Sequence, residues 1–261
     1  MEFVAHIGPR HLGRALAAVP GAVRALRRNK VQHVVTTGAA MAVPYMLAGA
    51  LLRLPITFIE SAARQVAPSL TGRIAAALPR VRLYCQAQPV LGPRWRRLAS
   101  VFDGYMAEPR TTPEIRRVVV SLGGERFPFP RAIERIRAAV PEGVEVVWQT
   151  GSTPAAGLEG AQDWFPSSDL VALMREADVV FVHAGVGSAL AALDVGKAPV
   201  LLVRRQRFGE HIDDHQEQIA LMLVQRGLAV APSLESFSWA DAEAAASREI
   251  KKVAAVERIT L

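Results

Sequence analysis

The sequence predicts an α/β protein built on parallel sheets, doubly wound in its second half. Short β-branched runs alternate with longer helical patterns along the chain, the rhythm of strand–helix–strand units. Glycines gather just past several of these runs, at the strand ends where open α/β sheets bind ligands. The 261 residues are 51% hydrophobic and 21% charged, a balance that fits a folded globular chain rather than a disordered or fibrous one.

Taken in order, His11 to Arg28 has helical spacing with a basic face. Val31 to Thr36 (VQHVVT) reads as a strand, Met41 to Leu52 as a helix and Ile56 to Ile59 as a strand. A helix near Leu70 to Leu78 and a strand at Val81 to Cys85 follow. Gly104 to Pro113 carries Pro109, Pro113 and paired threonines and reads as a linker, which divides the chain into domains at 1–108 and 109–261. Val118 to Leu122 (VVVSL) is a buried strand running into Gly123 and Gly124. Arg131 to Ala139 is a helix, and Val144 to Gln149 (VEVVWQ) a strand ending at Thr150 and Gly151. Asp169 to Glu176 is a helix with Ser167 and Ser168 as its caps. Val179 to Val182 is a strand, Gly187 to Val195 a helix and Val200 to Val203 a strand. His215 to Gln225 is a helix, with a short strand at Ala229 to Ala231.

The charge is uneven. Residues 1–115 hold 15 Lys and Arg against 5 Asp and Glu; the remainder hold 16 against 19. The basic half is expected to meet something anionic, such as lipid headgroups or a lipid diphosphate. Nucleic acid is set aside, because interleaved aromatics, zinc spacing and RNA-binding signatures are missing. A single cysteine, Cys85, excludes an internal disulfide framework and reads as a small buried hydrophobe. No signal peptide is recognised. The apolar run from Ala39 to Ile59 is broken by Pro44, Arg53 and Pro55, so it reads as a buried helix and strand rather than a membrane span.

Three constellations carry chemistry. In HAGVGS, a strand ends at His183, Gly185 and Gly187 allow a tight turn, and Ser188 stands where a helix begins. Free amides and the positive end of a helix dipole there suit a diphosphate. In GEHIDDHQEQ, Glu210, His211, Asp213, Asp214, His215 and Gln216 concentrate hydrogen-bonding groups at the next strand end, where polar loops recognise sugars. A metal is the rival reading of those histidines and carboxylates, and no metal site is assigned. The strand ends SLGG and WQTG bring small residues to the same sheet edge, with Trp164-Phe165-Pro166 as an apolar wall for a planar base.

SLGG, WQTG, the stretch WFPSSDLVALMREADVVFVHAGVGS and the DDHQ loop together resemble the C-terminal domain of glycosyltransferase family 28. Within it they are most similar to the two-subunit dolichol-linked N-acetylglucosaminyltransferase and its fused bacterial exopolysaccharide relatives. Thr36 to Arg73 resembles the membrane-recruiting, acceptor-side part. The resemblance covers about residues 30–232. It implies a GT-B fold of two Rossmann-like domains with parallel sheets, the N-terminal one incomplete, since nothing in Met1 to Gly8 matches the family's opening strand and Gly-rich loop. It also implies inverting, metal-independent transfer from a UDP-sugar to a polyprenyl-diphosphate-linked glycan acceptor at the cytoplasmic face of the membrane, with no cofactor and with a possible partner subunit. Carried over, Gly185, Gly187 and Ser188 would cradle the diphosphate, with Gly123 and Gly124 opposite and His183 beside them. Phe165 backbone would read the uracil; Asp214, His215 and Gln216 would hold the sugar; Glu60 and Ser61 would face the acceptor. Ala191 stands where relatives place a ribose-binding glutamate. No catalytic base is named. The alternatives kept are a nucleotide-sugar epimerase and a non-catalytic nucleotide-sugar-binding subunit.

Overall fold

The computed structural model describes residues 12–87, 90–155 and 157–253. They form two compact units, the first running to Val101 and the second beginning at Phe102.

In the first unit the elements run α1 (Leu12–Ala17), α2 (Val19–Arg28), β1 (Val34–Thr36), α3 (Ala42–Leu51), β2 (Ile56–Ile59), α4 (Leu70–Ala77), β3 (Val81–Cys85) and β4 (Trp95–Arg97). The four strands are parallel and lie in sequence order. The single helix expected from His11 to Arg28 is two. The break falls at Ala18, just ahead of Pro20, which has no N–H to give a preceding turn; His11 itself lies outside the described residues. α2 buries Ala22 and Leu26 and exposes Arg24, Arg27 and Arg28.

The strand expected from Val31 shortens to Val34–Thr36, because the intervening chain is spent ending α2. Lys30 takes a φ of +47° and the Val31 N–H returns to the Leu26 carbonyl. Ala39 to Ile59 divides into α3 and β2, and among the described residues no helix is long and apolar enough to cross a membrane. Cys85 is a free, buried thiol in a core with Met46, Phe58, Leu83 and Trp95. Strand β4 was not anticipated; its one buried side chain, Trp95, meets Phe58 edge-on at 6.0 Å.

The second unit contains β5 (Tyr105–Pro109), β6 (Arg117–Ser121), α5 (Pro130–Ala139), β7 (Glu145–Gln149), α6 (Ser167–Glu176), β8 (Val179–His183), α7 (Val186–Asp194), β9 (Val200–Leu202), α8 (His215–Gln225), α9 (Trp239–Ala246) and β10 (Arg248–Lys252). Its main sheet is parallel with order β7-β6-β8-β9, around a core that includes Val118, Val120, Leu122, Phe129, Ile136 and Phe181. The chain steps from β6 outward to β7, then returns past β6 to β8. The order therefore reverses between β6 and β8, where open α/β sheets have their ligand crevice.

Part of the expected linker is strand β5. It pairs antiparallel with β10, from Tyr105↔Lys252 to Pro109↔Arg248, so the unit boundary lies ahead of it. The expected strand at Ala229 to Ala231 is a single bridge between Val230 and Val200. Ser167 and Ser168 do not cap α6. Both lie inside it, Pro166 precedes it without a side-chain cap, and the Ser168 hydroxyl turns to Asp169.

Candidate functional site

The ends of β6 and β8 meet around His183. Gly123, which follows β6, has a φ of +77°, and a Cβ built on it would lie 2.4 Å from the His183 ring. A Cβ on Gly185 would lie 2.5 Å from His183 Nε2. These two glycines form the seat of the imidazole, a requirement for glycine that stands beside the expected one of lining a phosphate site. His183 Nδ1 is 3.3 Å from Ser188 Oγ. Burial, and then the buried Arg204 cation, hold the imidazole pKa down at about 4, so the ring is neutral near pH 7.

α7 begins immediately after this seat. Gly185 precedes its first turn with no side-chain cap, and the turn carries no acidic residue. Its leading N–H groups therefore have no intrahelical or side-chain acceptor, and the positive end of the dipole opens on the same spot. Gly187 is exposed, lies in the helix, and has nothing within 4 Å of a built Cβ. Gly187 is helical and contributes open space. Ala191, farther along α7, is half-buried and has no side-chain polar group.

Beside Gly124 lies the exposed indole of Trp164, 3.1 Å from a built Cβ. The Phe165 N–H, expected to read a base, is already donated to Gln149 Oε1 at 3.0 Å. Gln149 is buried and donates from Nε2 to Ser121 Oγ at 2.9 Å. A base at this edge would therefore be read through the Phe165 carbonyl and the Trp164 face.

The residue that sequence reasoning missed is Arg204, at the end of β9. It is wholly buried and donates through Nη1 to the Phe127 and Glu210 carbonyls and through Nη2 to the Leu122 carbonyl. Its guanidinium lies 4.8 Å from the Phe129 ring centre, and its Nε has no hydrogen-bond partner. Only its place after a buried strand, next to a second arginine, could have drawn attention to it.

Arg204 ties together the loops after β6 and β9, so several residues of the GEHIDDHQ loop face inward. Glu210 is buried, accepts a bidentate pair from Arg131 at 3.0 Å each and takes the Arg205 N–H at 2.9 Å. Gln216 is buried and its Oε1 accepts the Arg204 N–H at 3.2 Å. Asp214 is exposed and accepts the Gln206 N–H at 2.8 Å. His215 hydrogen-bonds Asp213 through Nδ1. His211 is buried, and that burial, followed by the neighbouring His215, lowers its pKa.

In the first unit, Glu60, expected to face the acceptor, has both carboxylate oxygens engaged within the chain. It is buried; Oε1 accepts the Ser61 N–H at 3.0 Å, and Oε2 accepts the Ser69 N–H and hydroxyl at 2.8 and 3.0 Å. Its side chain organises the start of α4. Ser61 is exposed, and its hydroxyl accepts the Ala63 N–H at 3.2 Å.

The sheet reversal, the uncapped start of α7 and the exposed indole of Trp164 stand at the strand ends of a parallel α/β sheet of the GT-B class. The crystal structure of Acinetobacter baumannii MurG matches with a TM-score of 0.61 at 18% identity, covering 91% of this chain and 70% of that one, and GT-B is the fold of this chain. No family model matches the chain. It is similar to curated UDP-N-acetylglucosamine–N-acetylmuramyl-(pentapeptide) pyrophosphoryl-undecaprenol N-acetylglucosamine transferases. That of a Synechococcus strain is 29% identical over 233 residues, covering 83% of this chain and 63% of the relative. That of Xylella fastidiosa is 28% identical over 250 residues, covering 83% and 62%. The chain thus spans a little under two thirds of their length. The likeness to glycosyltransferase family 28 drawn from the motifs is supported by these relatives. Their acceptor, a muramyl-pentapeptide lipid, gives no support to the expected role in exopolysaccharide synthesis.

Proposed function

We propose that this chain is a glycosyltransferase, or the donor-binding part of one, which transfers a sugar from a UDP-linked donor to a polyprenyl-diphosphate-linked acceptor. The relatives support N-acetylglucosamine as the sugar. The observation that carries the reading is the uncapped start of α7 facing the His183 seat at the sheet reversal. There the leading N–H groups of α7 would hold the diphosphate, and Trp164 would stack on the base. The Gln216 NH₂, Asp214 and His215 would hold the sugar.

The transfer is inverting. The acceptor hydroxyl attacks the anomeric carbon from the face opposite the diphosphate and gives up its proton to solvent, the C1–O bond to phosphate breaks, and UDP leaves with that electron pair. Preorganised amides and the buried Arg204 charge stabilise the departing oxygen, the task a metal performs in other transferases. The reaction runs at the inner membrane face. Exposed Arg24, Arg27 and Arg28 on α2 give the first unit a basic surface toward anionic lipid.

Thermal melts in EDTA test the donor site. UDP at 100 times its dissociation constant should stabilise the protein by about 2.7 kcal/mol. Melts unmoved by UDP, UDP-sugars, GDP and dTDP would refute it. A non-catalytic nucleotide-sugar-binding subunit is the second reading, favoured by Ala191. Radiolabelled UDP-N-acetylglucosamine incubated with a lipid extract separates the two: labelled lipid means transfer, and bound but unchanged donor means binding alone. An epimerase loses ground, because both oxygens of Glu60, its one candidate carboxylate in the first unit, are engaged.

A further inference from the structure

The loop between β9 and α8 brings together three groups that the proposed transfer does not need as a set. One donor atom from each of His211, Asp213 and His215 lies within 4.8 Å of the others. Asp213 Oδ1 is 3.4 Å from His211 Nδ1 and hydrogen-bonds His215 Nδ1. The two imidazoles meet edge to face at 4.7 Å between centroids. Phe127, 6.1 Å from His211, closes part of one side. Donors bound at about 2.0–2.1 Å around a tetrahedral ion stand roughly 3.3 Å apart, so small rotations of these side chains would seat one.

We propose that His211, Asp213 and His215 form a site for a divalent transition-metal ion of the zinc type, and that its occupation weakens donor-sugar binding. The ligand class follows from the donors. Two imidazole nitrogens and one carboxylate suit zinc, cobalt or nickel, whereas magnesium and calcium prefer sets of oxygens. Three protein ligands leave a fourth position for water. The inhibitory direction rests on the proposed placement of the sugar at Asp214, His215 and Gln216. A metal would take His215 out of that set and fix the first turn of α8. The ion is a regulator and takes no part in the transfer.

The test uses the full chain stripped with EDTA and dialysed free of it. Zinc binding is followed by calorimetry and cobalt binding by its visible absorption. The expected result is one zinc per chain, with a tetrahedral cobalt spectrum. Affinity should fall at least tenfold in His211→Ala and in His215→Ala and stay unchanged in His33→Ala, a histidine of the first unit. Should either alanine variant melt early, His215→Gln replaces it. Equal affinity in wild type and in the His211→Ala/His215→Ala double variant would overturn the site.

Saturating zinc should then weaken UDP-N-acetylglucosamine at least tenfold and leave UDP within twofold. Equal effects on both ligands, or on neither, would overturn the inhibitory role. If neither nucleotide binds the metal-free protein, the donor-site reading fails, while the zinc and cobalt titrations still decide whether the metal site exists.

Discussion

The two units each carry a four-stranded parallel sheet, yet the described residues at their strand ends are used differently. In the first, the strands follow sequence order and the carboxylate at the end of β2, Glu60, is consumed by neighbouring N–H groups and a hydroxyl. In the second, the order reverses between β6 and β8, the point at which open α/β sheets bind ligands. The His183 ring and the uncapped start of α7 lie there. The lesson is topological. Similar strand–loop–helix grammar gives a satisfied turn in one unit and an uncapped helix start at a sheet reversal in the other.

The largest expected effect comes from removing the clasp of the second unit. Arg204→Met keeps much of the volume but strands the Leu122, Phe127 and Glu210 carbonyls. That should cost at least about 3 kcal/mol, at roughly 1–3 kcal/mol for each of the three carbonyls left unpaired, and weaken UDP binding with it. Urea unfolding followed by the tryptophans Trp148 and Trp164 would measure it. A loss under 1 kcal/mol would mean that the loops hold their places without the arginine.

Gly123→Ala attacks the crevice itself. The left-handed φ costs roughly 1–2 kcal/mol for an L residue, and the added Cβ meets the His183 ring. Stability and UDP affinity should fall together, as read by melts with and without UDP. In the first unit, Glu60→Gln is the counterpart. It forfeits one acceptor oxygen, on the order of 1–2 kcal/mol, and should leave UDP affinity unchanged. A matching loss of UDP binding would break the contrast between the two sheets.

Much of this was legible in the sequence because it is local. The period of VVVSL or VVFVH, and glycine after a strand, announce buried strands and turns, and α8 runs from His215 to Gln225 as its pattern implies. What was illegible depends on distant partners. β5 is a strand only because β10, about 140 residues later, pairs with it. Glu60, Glu210 and Gln216 look like site residues by type and position, and the fold spends their oxygens on its own N–H groups and on Arg131. Gly123 and Gly185 also seat an imidazole between them, a packing reason for glycine that no local pattern displays.

His183 gives the crevice a pH signature. Its folded pKa of about 4 lies below the ordinary histidine value of 6.5, so between these the unfolded chain binds the extra proton. The stability it contributes is complete above pH 6.5 and is lost as pH falls toward 4. Wild-type melting temperature should therefore drop across that window more steeply than that of His183→Asn. Parallel curves would show that the ring is not held neutral.

The smallest effect is the most discriminating, and it concerns Gly187. Glycine there would let a phosphate approach the backbone closely. Gly187 is helical, exposed and clear of neighbours, so nothing in the packing around it calls for glycine. Without ligand, Gly187→Ala should then be neutral or stabilising, by at most about 0.5–1 kcal/mol, because alanine loses less backbone freedom in a helix. Any cost must come from the ligand. If the diphosphate rests on the first turn of α7, the new methyl lies where an oxygen should be, and UDP affinity should fall about tenfold while the unliganded melt holds or rises. Calorimetry with UDP and with UDP-N-acetylglucosamine reads this directly. A variant that binds both as wild type does would move the diphosphate off Gly187, toward the Gly123 side of the reversal. A variant that melts several degrees lower without ligand would show that this glycine serves packing after all, which would erase the difference between an open strand end and a filled one.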